Sequence, residues 1–371
     1  MFCDWYKPAF RAGGPIRSIV NLVERYAEEY DFYIYTSSSD LGGNSIIASE
    51  ECEIWHRRYN CTIRYYAAGT MSLTRARHVI SDVQPDLIYL NSMFSNMFFP
   101  LIAGYRTGKV IMAPRGMLRP SALSYKPIKK WIYLYLLRLL GIHQSIKFHA
   151  TSVEEVHWIR AAFPSANTIC VAPNIPFSLP QLLPTIEKKS GHLRAIVVAR
   201  MQSIKNIHKV LEYVQQLNGH IQIDIMATSD DLGYRKKVCQ LIEKLNQRGI
   251  QARLHDNCLP EQVYECLMRS HLFILPTKGE SFCHAIFESF ACGCPVLISD
   301  QTPWRELATS FAGFDLPIKE EKLWVKYLNH FVEMDNIEWQ KYRQGARNKS
   351  EHYLKSSELD VKYQSLFENI R

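Results

Sequence analysis

The sequence predicts an α/β chain of two successive doubly wound lobes, and three observations carry the prediction. Short apolar runs rich in β-branched and aromatic residues alternate with helix-length amphipathic segments from end to end, the pattern of βαβ units around parallel sheets. The alternation runs through twice, restarting at Leu193–Val198. Between the two passes lies Pro173–Gly191, whose four prolines and polar end, Glu187-Lys188-Lys189-Ser190-Gly191, favour extended backbone over packed helix and mark a linker. A length of 371 residues also exceeds what one hydrophobic core usually organises.

In the first lobe the strand candidates are Phe32–Tyr35, Ile63–Tyr66, Leu87–Leu90, Val110–Met112, Ile146–His149 and Ile169–Val171. Helices are predicted between them at Ile16–Tyr30, Leu73–Val83, Ser95–Tyr105, Ile128–Leu140 and Val153–Ala162. The second lobe continues from Leu193–Val198 with strands at Ile221–Met226, Ala252–Leu254, Leu272–Leu275 and Val296–Ile298. Its helices fall near Ile207–Leu217, Tyr234–Arg248, Glu261–Arg269 and His284–Cys292. The last 50 or so residues lose the strand signal and read as helices, including an amphipathic one around Glu358–Ile370. The expected division is 1–175 and 176–349, with a C-terminal helix of about 350–371 able to pack back on the first lobe.

Composition narrows the function classes. Apolar residues make up 47% and charged residues 22%, which excludes a disordered chain. The longest apolar stretch, Trp131–Ile142, contains Arg138 and falls well short of the roughly 20 residues of a spanning helix. The opening MFCDWYKPAF lacks a basic region followed by an apolar one, so a cytoplasmic location is expected. Ten cysteines are scattered without the paired spacing of a zinc or redox site, since only Gly293 separates Cys292 from Cys294, and read as buried thiols. Of the net charge of +8, residues 1–180 hold about six. That half either meets something anionic or is simply well solvated; no nucleic-acid partner is expected.

Two segments of the second lobe carry candidate chemistry. Pro276-Thr277-Lys278-Gly279-Glu280-Ser281-Phe282-Cys283-His284 follows a strand and runs into a helix ending at Gly293 and Pro295. Ligands of open α/β sheets bind at such strand ends, and unpaired amides with a partial positive charge at a helix start can hold a diphosphate, here near Phe282, Cys283 and His284. Glu280 and Glu288 are acceptor-only groups suited to vicinal hydroxyls, although a pair so spaced is also what a solvated helix face presents. His284 caps or packs in one reading and touches the ligand in the other. Arg200 and Lys205, at the end of Val198-Ala199-Arg200-Met201-Gln202-Ser203-Ile204-Lys205-Asn206, stand where cations would meet phosphate oxygens, or are surface charge.

Arg200 with Lys205, followed about 75 residues later by Glu280-Ser281-Phe282 and Glu288, resembles the donor-site signature of the GT4 (group 1) family of retaining glycosyltransferases. The strings Gly13-Gly14-Pro15-Ile16-Arg17-Ser18, Ala113-Pro114-Arg115-Gly116-Met117-Leu118, Ala150-Thr151-Ser152, Ala172-Pro173-Asn174-Ile175-Pro176 and Cys294-Pro295-Val296-Leu297-Ile298-Ser299-Asp300 extend the likeness over nearly the whole chain, toward members that build bacterial surface polysaccharides. The resemblance implies a GT-B fold, two Rossmann-like domains facing each other across a cleft. It implies transfer of a sugar, with retention, from a nucleotide-sugar to a saccharide or lipid-linked saccharide acceptor. Arg200 and Lys205 would neutralise the leaving diphosphate, Glu288 would bind the ribose, and Glu280 the transferred sugar. The Gly13-Gly14 turn would admit diphosphate close to backbone, or is a plain turn before a helix. Arg115 would contact phosphate or acceptor, or pair structurally with a carboxylate. Asn91, at a strand end, would meet acceptor or sugar, or cap the loop.

No cofactor and no metal are expected: no Asp-x-Asp pair precedes a loop, and Asp230-Asp231 reads as a helix start. The family commonly has glycine at the position of Cys283, and its members begin with a full strand where only five residues precede Tyr6 here, so the first strand reads as shortened. These two departures keep a catalytically silent glycosyltransferase-like subunit open, and a nucleotide-sugar epimerase of the same fold is the other alternative. Lys126–Leu140, with Lys126, Lys129 and Lys130 beside Trp131, Tyr133 and Leu134, is either a core-packed helix with a solvated basic end or a peripheral contact for an anionic membrane.

Overall fold

The computed structural model describes residues 1–43, 45–94, 110–124, 126–177, 182–228, 231–356 and 358–368. The chain divides into two compact units, Met1–Ile175 with Ser357–Arg371, and Pro176–Ser356.

In the first unit, helix α1 (Gly14–Tyr26) leads to β1 (Tyr33–Ser37), β2 (Trp55–Arg58) and β3 (Cys61–Tyr66), then α2 (Leu73–Val83), β4 (Ile88–Asn91) and β5 (Val110–Ala113). The short α3 (Pro120–Leu123), α4 (Pro127–Leu139), β6 (Lys147–Ala150), α5 (Val153–Ala162) and β7 (Thr168–Val171) complete it. The helix expected at Ser95–Tyr105 lies outside the described residues. Ser72 and Ser152 cap α2 and α5, each accepting from the backbone N–H three residues on. β2, which the periodicity did not signal, is a polar strand antiparallel to β3. The strands run β2-β3-β1 and β4-β5-β6-β7. The first residues lie between β1 and β4. Phe2 donates to Tyr89 O at 2.9 Å and accepts from Asn91 N at 3.0 Å, while Tyr35 N donates to Met1 O at 2.9 Å and Cys3 N to Tyr35 O at 3.3 Å. These residues thus bond on both sides and join the two groups of strands. Helix α12 (Leu359–Glu368) packs on this unit through a two-pronged Arg25–Asp360 pair at 2.9 Å and Tyr363, whose hydroxyl donates to Pro173 O at 3.0 Å.

The second unit is a six-stranded parallel sheet. β8 (His192–Arg200), β9 (His220–Thr228), β10 (Gln251–Asp256), β11 (Leu272–Leu275), β12 (Val296–Ser299) and β13 (Gly313–Leu316) lie in the order β10-β9-β8-β11-β12-β13. The connecting helices are α6 (Ile207–Val214), α7 (Leu232–Gln247), α8 (Pro260–Arg269) and α9 (His284–Ala291), followed by α10 (Glu321–Glu333) and α11 (Asn336–Ser356). β11 and β12 are buried at every residue, as expected of parallel strands covered on both faces. Ile207, Leu211, Val214, Trp324 and Leu328 pack in one core cluster with the sheet. Leu267, Ile286, Phe287 and Phe290 pack in another. The strand order reverses between β8 and β11, the topological switch point at which doubly wound sheets open a crevice beyond their strand ends. The two α/β Rossmann-like sheets, one in each unit, constitute the GT-B fold.

Candidate functional site

The two strands that flank the reversal in the second unit deliver the two charged segments. Arg200 is the last residue of β8, and the chain then makes a short 3-10 turn, Ser203–Lys205. Asn206 follows in a left-handed conformation (φ 55°) that asparagine tolerates well. Its buried amide donates to Pro276 O at 2.8 Å, and Lys278 N donates to Ile204 O at 2.8 Å. These bonds stitch the loop after β8 to the loop after β11, so residues about 75 apart in sequence share one surface.

At that surface the Lys205 ammonium pairs with Glu280 Oε1. Glu280 Oε1 also accepts from the fully buried Thr277 hydroxyl at 3.1 Å, and Thr277 O accepts from Ser299 Oγ. Burial alone would pull the Lys205 pKa down; the Glu280 carboxylate outweighs it, and the net shift is upward, with the Arg200 charge opposing. Lys205 therefore feels both the Glu280 carboxylate and the Arg200 charge.

The loop closes onto α9 through Phe282 and Cys283. Phe282 is buried against Trp304, Tyr353, Phe287 and His284, and its carbonyl accepts from Trp304 Nε1 at 2.6 Å. Cys283 is the residue before the helix and adopts φ 64°, ψ 85°. That is a left-handed backbone which costs a side-chain-bearing residue about 1–2 kcal/mol and a glycine nothing. Burial first, and the Glu280 carboxylate next, push its thiol pKa up, so the sulfur stays protonated. His284 and Glu288 are both buried in α9, His284 with its ring 4.9 Å from that of Phe282. The structure thus brings Arg200, Lys205, Glu280, Phe282, Cys283, His284 and Glu288 to one end of one sheet.

The remaining sequence candidates belong to the first unit. Gly13 precedes α1 with φ 64° and ψ −117°, a combination open to glycine alone, whereas Gly14 begins the helix without a positive φ. The Asp40 carboxylate holds the approach to this turn, accepting from Phe10 N at 3.0 Å and Arg11 N at 3.2 Å. Asn91 ends β4, and its Oδ1 accepts from Arg115 Nε at 3.0 Å. Arg115 also donates to Asn174 Oδ1 and, at 2.8 Å, to the Tyr89 hydroxyl. Amide and hydroxyl oxygens hold this guanidinium. The Tyr89 hydroxyl bonds buried His149 Nδ1 at 2.7 Å, and His149 Nε2 bonds Ala172 O at 2.8 Å. Burial, reinforced by the Arg115 charge, pulls the His149 pKa down to about 3. Sequence reasoning missed Asp40, Tyr89 and Trp304, whose roles come from partners distant in the chain. Asp231 caps α7, accepting from Tyr234 N at 2.9 Å. Among the described residues, no group of three or more His, Cys, Asp or Glu is placed to hold a metal ion.

Residues 183–350, which span this sheet and its site, match the family model of glycosyl transferases group 1. That match covers a little under half of the chain, and over those residues the chain is similar to this family. Solved structures agree with the fold of the chain over its whole length. HepE of Anabaena, in complex with UDP, superposes with a TM-score of 0.69 at 15% identity, covering 100% of this chain and 98% of that one. A glycosyltransferase from Rickettsia africae gives 0.68 at 12% identity, covering 100% and 97%. WaaG, a glycosyltransferase involved in lipopolysaccharide biosynthesis, gives 0.66 at 12%, covering 100% and 98%. At these identities the likeness is one of fold. No curated protein sequence matches the chain.

Proposed function

We propose that this chain is a glycosyltransferase that moves a sugar, with retention, from a nucleotide-sugar donor seated on its second unit to a saccharide or lipid-linked saccharide acceptor in cell-surface polysaccharide biosynthesis. One observation carries the reading: Arg200 and Lys205, from the loop after β8, stand at the switch point of the sheet where Lys205 pairs with Glu280 of the loop that enters α9. Arg200 and Lys205 supply two positive charges where the leaving diphosphate gathers negative charge, the kind of stabilisation that often contributes most to catalysis. Amides at the start of α9 add a partial positive charge. Glu280 is assigned to hydroxyls of the transferred sugar and Glu288 to the ribose, with Phe282, Cys283 and His284 lining the approach. In the first unit the Gly13-Gly14 turn is assigned to phosphate approach, and Asn91 and Arg115 to acceptor or phosphate contacts. The relatives support the donor class, since HepE was solved with UDP-glucose as well as with UDP.

A binding and turnover panel of UDP-, GDP- and ADP-sugars tests the proposal, with Lys205→Ala and Glu280→Ala as controls and with chelator added. Turnover that survives chelator and drops by about two orders of magnitude or more in Lys205→Ala is expected. Failure of the folded wild-type chain to bind any nucleotide-sugar would overturn the reading. Binding without turnover toward any acceptor would turn it into a silent binding subunit. A lipid-linked acceptor also calls for peripheral contact of the first unit with a membrane. No helix among the described residues is long and apolar enough to cross one.

A further inference from the structure

Helix α4 buries only Leu134 and Leu137. Ile128, Trp131, Ile132, Tyr135, Leu136 and Leu139 on the helix and Leu140 just after it are exposed, with Ile128 at 74% and Leu139 at 69% of full exposure. Their spacing of three and four residues places them on one continuous stripe along the side of the helix away from Leu134 and Leu137. A single exposed leucine needs no explanation, but a stripe of seven large apolar side chains does. The core-packed reading of this segment accounts for Leu134, Leu137 and the half-buried Tyr133 and leaves the stripe in water.

The stripe has an interfacial composition. Trp131 and Tyr135 stack face to face with ring centroids 5.6 Å apart, and both are exposed. Aromatic rings with one polar edge partition to the level of lipid headgroups. Lys126 and Lys129 are exposed beside the start of the stripe, where ammonium groups can reach lipid phosphates while the apolar side chains enter the acyl boundary. Lys130 is already engaged, donating to Ala122 O at 2.6 Å and lying over the Phe94 ring. It fixes the helix to the unit and leaves the stripe outward.

We propose that α4 is an interfacial docking helix that lays Ile128, Trp131, Ile132, Tyr135, Leu136 and Leu139 into an anionic bilayer surface, with Lys126 and Lys129 on the headgroups. The inference gives the membrane contact invoked above a specific surface and lipid class, and it stands apart from the donor chemistry of the second unit.

The test is flotation of the full-length protein with vesicles of phosphatidylglycerol in phosphatidylcholine and with phosphatidylcholine alone, at low and high salt. A Trp131→Glu/Leu139→Glu variant and a Lys126→Gln/Lys129→Gln variant are compared with wild type. Wild type should float with the anionic vesicles. The glutamate variant should bind ~10-fold or more weakly, because it puts two carboxylates into the apolar face, and the glutamine variant should lose most of its salt dependence. Melting temperature and nucleotide-sugar binding should match wild type in both, which separates this proposal from the donor-site reading. Absence of flotation by wild type would overturn the proposal, as would unchanged flotation by the glutamate variant. A wild-type dimer in solution that the glutamate variant dissociates would assign the stripe to a second copy. A lower melting temperature in the glutamate variant would assign it to cover from within the chain.

Discussion

The Lys205–Glu280 pair makes a demanding prediction, because its partners are unequal. Their side chains are only 18% and 12% exposed. Removing one member of a fully buried pair costs about 3–5 kcal/mol, and residual solvent access brings the expectation here down to about 2–3 kcal/mol. Glu280→Ala leaves the Lys205 ammonium facing the Arg200 charge. Lys205→Ala leaves Glu280 with the Thr277 hydroxyl. Glu280→Ala should therefore be the more damaging of the two by about 1 kcal/mol. The double variant strands no charge of the pair and should cost less than the sum of the singles by about 2 kcal/mol. The measurement is denaturant-dependent hydrogen exchange at the amides of α9, which reports opening of the second unit without assuming that both units unfold together. Additive costs, with a coupling under about 0.4 kcal/mol, would show that the pair does not form, and the electrostatic description of the site would fail with it.

Three further predictions follow from the same geometry. Cys283→Gly releases a left-handed side-chain-bearing residue (φ 64°) but restores some chain entropy to the unfolded state, so the second unit should gain under about 1 kcal/mol, or roughly 2 °C in melting temperature. Cys283→Ala keeps the strained backbone, and a rise equal to that of the glycine variant would refute the explanation. His149, held neutral with its pKa lowered to about 3, takes up fewer protons folded than unfolded between about pH 6.5 and 3. Its contribution to first-unit stability is complete above about pH 6.5 and should be lost as the pH falls through that window, by up to about 1.4 kcal/mol per pH unit. Urea titrations of wild type and His149→Asn at matched pH check this, and equal slopes would refute it. In α11, a methyl group on Gly345 would lie 2.3 Å from Ser310 O and 2.4 Å from Phe311 O. Gly345→Ala should lower stability by about 1–2 kcal/mol, overpacking of about 2–3 kcal/mol exceeding a helix-propensity gain of about 1 kcal/mol, and a higher melting temperature would refute the close approach.

What the sequence made legible was what local chemistry dictates. The runs at Leu272–Leu275 and Val296–Ile298 read as buried strands because parallel strands covered on both faces have no polar side to show. Arg200, Lys205 and Glu280 were readable as charges at strand ends, and the strand order supplied the reason they meet. β2 and β13 escaped because Trp55–Arg58 is polar and Gly313–Leu316 is brief, and both are defined by their neighbours in the sheet. The supports of the site escaped for the same reason. The bond from Asn206 to Pro276 O spans 70 residues, and that from Trp304 to Phe282 O spans 22. Helix α4 illustrates another limit. Its period announces a helix with apolar faces, but the stripe Ile128, Trp131, Ile132, Tyr135 has the same spacing whether a core or a solvent lies against it, and exposure alone distinguishes the two.

The choice of lysine and cysteine at this site has a common physical thread on the proposed assignment. Lys205 already satisfies Glu280, and an ammonium carries three donors on a flexible stem, so it can keep that carboxylate and still turn a proton toward an arriving phosphate oxygen. A planar guanidinium in its place would favour a two-pronged grip on Glu280 and have less freedom to share. Arg200, anchored at the end of β8, supplies the fixed charge, and Lys205 the adjustable one. Cys283 stands near Lys205 and Glu280 on a backbone that glycine would adopt at no cost, and its thiol, kept protonated by burial and by Glu280, adds bulk to this corner without adding charge. Cys283 therefore leaves unchanged the charge balance to which Arg200, Lys205 and Glu280 contribute, and acts through shape. Substitutions at Cys283 should accordingly change which sugar fits before they change how the leaving group is stabilised.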